Sequence, residues 1–538
     1  MLGQVHEDPE LSWLWQELGV KRRDAGAGPT AAVGSAIVLG GGTAGYLSAL
    51  ALRQALPAAR VTVIESPNVP IIGVGEATVP NMVPFLHRRL GIEIGEFYRQ
   101  VQPTWKQGIR FEWGKPAPYY FNAPFDWDKD SIGVLGSVAA TGTINQMTFQ
   151  AMLMDAKRVP IIRGKDGKIV SLLRRVPIAY HLDNKRFVQY LRTILERRNV
   201  ERIEATVQDV SLRDDGRAGV ESLTTDIAGR LEADLFIDCS GFHSRLMDKA
   251  LGVSFTSFES SLFTNRALIF EVEHGGDIKP YTTATTMDAG WMWTIPQVDK
   301  DHCGYVFSDA FATEEMALAE LRRTFADSMT EPRRVFFRSG CASRAWVGNT
   351  IAIGNAQGFV EPLESSGLLM ITTSLELMID ALDGYPDDRA AIECFNRRIA
   401  KLWDGLRWFL AMHYKFNRRL ESPFWQHARE ATDVAGAADV VELFRNRSPL
   451  RFRDAGLVYQ APHFYGVAGT DAILLGQGVE TQIMGDMDPE GWTRRRDRAA
   501  ALVQSALTMA EALGLNEMEG ILPFPRKAAA ETLVGATA

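Results

Sequence analysis

The stretch "VLGGGTAGYLSALALRQALPAARVTVIES", residues 38–66, has the spacing that points most directly to chemistry. Gly40, Gly42 and Gly45 fill G-x-G-x-x-G. The first glycine allows a tight turn, the second lets the backbone approach a pyrophosphate, and the third packs helix on strand. Thr43 and Ala44 open a helix whose N–H groups and partial positive charge suit phosphates. Glu65 stands twenty residues after Gly45, where a carboxylate grips ribose hydroxyls. A bound dinucleotide is expected, and the fingerprint by itself leaves NAD and FAD both open.

Two later segments favour FAD. Asp238, Ser240 and Gly241 in "DLFIDCSGFHSRLMDKALG" fit the D-x-S-G strand end of flavin enzymes of the monooxygenase class. Gly354, Asn355 and Ala356 in "IAIGNAQGFVEP" fit their later G-[DN]-A strand end. The sequence has no second G-x-G-x-x-G, so a nicotinamide domain is not expected and reduced flavin comes from elsewhere. The nine histidines show no metal-ligand spacing, so no metal is expected. His181 and Asp183 in "YHLDNKRF" read as scaffold residues, and His243 as a loop residue. Nothing resembles a catalytic triad.

Positioning these residues calls for an α/β fold. "SAIVLG" suits a buried parallel strand, a helix pattern runs from Thr43 to about Leu56, and "RVTVIE" is a second strand. Residues 178–250 read as a turn and a long helix, then a meander, with "ADLFIDCSG" returning as a buried strand. Residues 258–307 are strand-like, and 351–384 form a strand, a loop and a long apolar helix. Beyond 385 the pattern is helical, less regular over 446–470, with a frayed end at "KAAAETLVGATA". The expected divisions are an N-terminal extension and linker (1–33), an FAD-binding core interleaved with a substrate-side sheet (34–385), and a helical covering region (386–538). The extension should hold a short amphipathic helix with Leu11, Leu14, Trp15 and Leu18 on one face.

Composition narrows the partners. The chain has 538 residues, more than one compact core holds. Its net charge of −8 argues against nucleic acid. No apolar run is long enough to span a membrane, and the N-terminus lacks the apolar stretch of a signal peptide. Four cysteines without a C-x-x-C pair suit a reducing, cytoplasmic setting.

Four segments together resemble the flavin-dependent halogenases of the tryptophan and indole type: "GGGTAG", "WKQGIRFEWG", "GWMWTIP" and "FVEPLESSG". "IIGVGEATVP", residues 71–80, adds a flavin-side loop of the same family. The resemblance covers about residues 34–380. It implies an FAD-binding Rossmann-like core of the flavin monooxygenase and halogenase type, with mixed sheets and a mostly helical C-terminal region. It implies FAD used as FADH2, O2, and a halide, either chloride or bromide. Hypohalous acid made at the flavin would pass to Lys106, which either polarises it or forms a haloamine. Glu364 would stabilise the arenium cation or take its proton. Ser366 and Gly367 resemble the halide-binding pair. Ala77, Val207 and Leu368 join Gly40, Gly42, Thr43, Ala44, Gly45, Glu65, Gly354 and Asn355 as flavin contacts. Trp291, Trp293, Ile295 and Pro296 fill W-x-W-x-I-P and wall the flavin from the substrate.

The resemblance also implies partners: a separate NAD(P)H-dependent flavin reductase, an aromatic small molecule, and a homodimer. Glu364 in "ESSG" points to indole-like substrates. In "LVYQAPHFYGVAG", Tyr459, His463, Phe464 and Tyr465 could stack on an indole. That stretch holds no acid to grip an amino group, which favours indole, a substituted indole or a larger aromatic over free tryptophan. Two alternatives stay open here, an aromatic hydroxylase and a flavin-binding protein without turnover. Product mass separates all three: halogen gained, oxygen gained, or no change.

Overall fold

The computed structural model describes residues 33–69, 75–126, 144–164, 166–215, 218–385, 389–450, 465–483 and 488–515. The expected N-terminal helix, Tyr459, His463, Phe464 and the frayed C-terminal end lie outside the described residues.

The apolar run before the glycines becomes the strand Ser35–Leu39, central in a six-stranded sheet. Its parallel neighbours are Arg60–Glu65 on one side and Leu235–Asp238 on the other. Thr350–Ala352 pairs in parallel beyond Leu235–Asp238, and Trp346–Val347 closes that edge antiparallel. Both halves of the flavin signature thus end at one rim, as a doubly wound sheet requires. The sequence places Glu201–Glu204 in the meander; the structure pairs it in parallel with Arg60–Glu65. The meander is the three remaining strands, Val207–Leu212, Val220–Thr225 and Gly229–Glu232.

The helix Thr43–Ala55 follows the glycines and packs against the helices Asn184–Arg197 and Ser366–Ala381. Asp183 caps the first of these by accepting from Arg186 N at 2.9 Å. Twelve residues of Ser366–Ala381 are buried, so this helix is a core element, apolar nearly all round. The helix Arg389–Phe416 crosses it and carries Gly466–Gly476 on its outer side.

A seven-stranded sheet forms the second layer, with Gly290–Pro296 well inside it. Its strands are antiparallel except for Thr282–Met287 beside Gly108–Glu112. A separate three-stranded sheet is formed by Glu76–Ala77, Ala179–Leu182 and Thr104–Lys106. Residues 179–182, expected as a turn, are its buried middle strand. Four residues are too short for periodicity to distinguish a strand from a turn.

The third fingerprint glycine shows how tight the helix–strand junction is. A Cβ on Gly45 would lie 1.9 Å from Gly40 O. That neighbour is backbone and cannot rotate away. Gly45→Ala is therefore expected to lower stability by about 1–3 kcal/mol and weaken FAD retention. Urea unfolding and FAD titration measure both.

Candidate active site

The fingerprint loop fits an FAD pyrophosphate on two observations. Gly42 is the N-cap of Thr43–Ala55 and supplies no side-chain hydrogen bond, and no acid lies in the first turn. The leading N–H groups thus await an anion. A Cβ built on Gly42 meets nothing within 4 Å, whereas one on Gly40 would fall 2.2 Å from Cys239 O. Space lies over the helix end, and closed packing lies behind it. Glu65 ends its strand as expected; it accepts from Tyr46 Oη at 2.6 Å and pairs with Arg202. Ala205 N donates to Glu65 O at 3.0 Å, which brings Val207 to the same corner.

The other expected flavin residues converge there. Gly354, at φ +70°, begins a single turn, and its Cβ position is 2.9 Å from Ala44 Cβ. The turn Gly241–His243 packs on Gly354–Ala356. Asp238 is buried and accepts from Leu246 N and Met247 N at 2.8 and 3.0 Å. Its carboxylate therefore shapes the loop rather than facing outward. Thr43 Oγ1 donates to Asn184 Oδ1 at 3.0 Å, and Asn184 Nδ2 reaches Glu76 Oε1 at 3.4 Å. Burial pushes the Glu76 carboxyl up to about 7. Ala77 follows directly, paired with His181.

The start of Ser366–Ala381 fits a small anion. Gly367 is exposed and a Cβ there meets nothing within 4 Å. Ser366 Oγ is buried without a hydrogen-bond partner. The first turn holds no acid. A cavity bounded by Gly354, Asn355, Gln357, Ser366, Gly367 and Trp403 joins this end to the flavin side. Leu368 follows, buried in the same turn.

Lys106 is completely buried. Its Nζ donates to Thr78 O at 3.0 Å and to Ser365 Oγ at 2.6 Å. Burial lowers its pKa to about 7, opposed by the charge of Glu364. The neutral amine has two hydrogens, and these two acceptors take both, which leaves the lone pair as the free position. Ser365 holds a left-handed backbone, φ +58°, a conformation costing a non-glycine about 1–2 kcal/mol. It turns the chain from Glu364 into the helix and brings Oγ to the lysine.

Glu364 is buried beside this pair, and its Oε1 lies 2.8 Å from His413 Nε2. Neither His413 nor the acceptors Thr78 and Ser365 were assigned from the sequence. A histidine on the buried face of an amphipathic helix carries no motif, and Thr78 acts through its backbone carbonyl. Tyr465 is placed differently from its expected substrate role: it stacks on Phe409 at 4.5 Å and donates from Oη to Glu364 O at 2.7 Å.

The tryptophan strand is tied to the lysine strand. Thr104 Oγ1 donates to Pro296 O at 2.6 Å. His181 lies within 3.2 Å of Thr104 Oγ1 and 2.9 Å of Thr282 Oγ1, as a scaffold residue would. Burial, with Lys106 nearby, holds its pKa well below the usual range. Trp291 and Trp293 are buried with ring centres 6.0 Å apart, and Ile295 is buried in the same strand.

The chain is similar to known proteins over most of its length. The family model for tryptophan halogenase matches residues 35–488. Tryptophan 6-halogenase ThaL of Streptomyces albogriseolus is 32% identical over 79% of this chain and 84% of its own. Tryptophan 7-halogenase KtzQ of Kutzneria sp. (strain 744) is 33% identical over 80% of this chain and 85% of its own. Among solved structures, MibH, a lanthipeptide tryptophan 5-halogenase, is 46% identical with a TM-score of 0.84, covering 91% of this chain and 94% of its own. BrvH, a flavin-dependent halogenase from Brevundimonas sp. BAL3, is 31% identical with a TM-score of 0.77, covering 91% and 99%. The chain belongs to the tryptophan halogenase family.

The buried lysine has a consequence separate from activity. The unfolded chain binds this proton up to the ordinary lysine value of 10.5, the folded chain only up to about 7. The unfolded state therefore holds more protons across that window, and stability rises with pH there. Urea unfolding at about pH 7 and about pH 9 should show this rise in the wild type and lose that share of it in Lys106→Met.

Proposed function

Proceeding from membership of the tryptophan halogenase family, we propose that this chain halogenates the indole ring of tryptophan, with Lys106 carrying the halogen. The observation that supports this most is the wholly buried Lys106, hydrogen-bonded to Ser365 next to Glu364. Reduced FAD, when bound, supplies hypohalous acid from O2 and halide. Gly40, Gly42, Thr43, Ala44, Gly45, Glu65, Ala77, Val207, Gly354, Asn355 and Leu368 would hold it. The halide, chloride or bromide, sits at Ser366 and Gly367. Trp291, Trp293, Ile295 and Pro296 keep the substrate from the flavin, so oxidant arrives only by way of the lysine.

At the lysine, the Nζ lone pair attacks the halogen of hypohalous acid. The N–halogen bond forms, the halogen–oxygen bond breaks, and one amine proton leaves with the hydroxide as water. The indole carbon then takes the halogen: the carbon–halogen bond forms, the nitrogen–halogen bond breaks, and its electron pair takes a proton from water in the same step, so the lysine leaves as the neutral amine. Glu364 stabilises the arenium cation and accepts its ring proton, whose bonding pair restores aromaticity. Glu364 then gives that proton to the hydroxide left by the water.

The substrate is most simply a tryptophan held in a peptide. The 46% identity to the lanthipeptide enzyme supports this, against 32% and 33% for the two tryptophan halogenases named above. So does the absence of an acid in the aromatic segment of residues 457–469. Tyr459, His463 and Phe464 are proposed as contacts to that substrate. Reduced flavin comes from a separate NAD(P)H-dependent reductase in the cytoplasm, and the enzyme works as a homodimer. Family membership does not favour the hydroxylase alternative.

The test combines protein, FAD, a flavin reductase, NADH and O2, with chloride or bromide and with tryptophan, indole or a tryptophan-containing peptide. Mass spectrometry should find a halogen isotope pattern on the peptide. Lys106→Ala should keep FAD and lose halogenation. Glu364→Ala should slow transfer by about 10²-fold or more while hypohalous acid still forms. Oxygen gained instead of halogen, or full activity in Lys106→Ala, would overturn the reading.

A further inference from the structure

Glu364 and His413 form a pair whose hydrogens can be counted. His413 Nε2 is 2.8 Å from Glu364 Oε1, and Nδ1 is 2.9 Å from Phe409 O, four residues earlier on the helix Arg389–Phe416. The ring is wholly buried. A carbonyl only accepts, so Nδ1 carries a hydrogen. A bare Nε2 would then set its lone pair against a carboxylate lone pair at 2.8 Å. A proton must lie between them. Carried by the ring, that proton makes an imidazolium–carboxylate pair, the form in which Glu364 keeps the charge its transfer role needs.

The backbones of both partners are fixed. Tyr465 Oη donates to Glu364 O at 2.7 Å, and Trp113 Nε1 donates to His413 O at 2.9 Å. The ring is flanked by Phe111 and Phe409, centres 5.4 and 5.1 Å away. The pair therefore does not wander, as the mobile ion pairs of a surface do.

We propose that His413 is a positioning residue of the halogen-transfer site: its imidazolium orients the Glu364 carboxylate and offsets part of its charge, so that Lys106 stands as a neutral amine. This rests on the role of Lys106 stated above. The charged and titratable groups facing the pair are Lys106 from the strand Thr104–Lys106, Glu361 from the loop before Ser366–Ala381, and Tyr465; Tyr414 from the same helix interacts with Glu361. Glu361, pushed up to about 6 by burial, interacts electrostatically with His413, so its carboxylate form also favours the imidazolium. Burial lowers Lys106 to about 7 while Glu364 acts to raise it. Without a cation beside it, Glu364 would draw a proton back to the lysine and occupy the lone pair that halogen transfer needs.

The first test uses FAD-loaded protein labelled with 15N-histidine, with His413→Gln identifying the His413 signals. Both ring nitrogens should be protonated from about pH 6 to about pH 8, and Glu364→Gln should remove one of those protons. A bare Nε2 in the wild type, or two protons surviving in Glu364→Gln, would overturn the proposal. This readout needs no turnover, so a failure to halogenate would sink the functional reading without touching it. The second test is the pH profile of halogen transfer. In His413→Gln the rising limb should move to higher pH by about one unit, with FAD affinity kept. A limb in the same place with only a lower plateau means a structural role alone and overturns the proposal.

Discussion

A primary amine held away from water, with both hydrogens committed, is the constraint around which this structure is organised. Lysine is strongly hydrated and rarely fully buried. Lys106 is buried because two acceptors, Thr78 O and Ser365 Oγ, meet it from separate parts of the chain. Neither acceptor carries charge, so neither holds the lysine as an ammonium. Burial then lowers its pKa to about 7, where the nucleophilic form is populated under ordinary conditions.

Each acceptor depends on a larger element. Thr78 is locked to Tyr180 through backbone and hydroxyl, N to O at 2.9 Å and Oγ1 to O at 2.9 Å. Ser365 reaches the lysine through its left-handed backbone, which also sets Glu364 before the turn and the open helix end at Ser366 and Gly367 after it. One strained residue thus separates the proposed halide end from the proposed transfer end. The chain of contacts Thr43–Asn184–Glu76, one residue before Ala77, runs from the fingerprint helix to the small sheet that bears the lysine. Flavin pocket and lysine are parts of one packed body rather than two domains in contact.

What the sequence made legible was whatever depends on residue type at a fixed spacing. The glycine loop before a helix and both strand ends of the flavin signature at one rim were legible in this way, and Lys106, Glu364 and the tryptophan strand were legible as candidates. The strand Ala179–Leu182 was not legible, because a four-residue buried strand has no period of its own. Glu201–Glu204 was assigned to the wrong sheet, because alternation does not say which partner a strand takes. His413 was invisible for a different reason: its meaning comes from a residue 49 positions away and from a carbonyl on its own helix. Tyr465 looked like a stacking surface for substrate, but its ring lies on Phe409 and its hydroxyl supports Glu364. An aromatic's type does not reveal which of its faces is already covered.

The central claim is that the halogen rests on Lys106 between its formation and its transfer. A delayed-addition experiment tests it most directly. The FADH2-loaded protein would turn over with O2 and bromide in the absence of substrate, methionine would then scavenge free hypobromous acid, and a tryptophan-containing peptide would be added last. Brominated peptide is expected from the wild type, at no more than one halogen per protein, and none from Lys106→Ala. No delayed product from wild type that brominates the same peptide when it is present from the start, or equal delayed product from the variant, would contradict it.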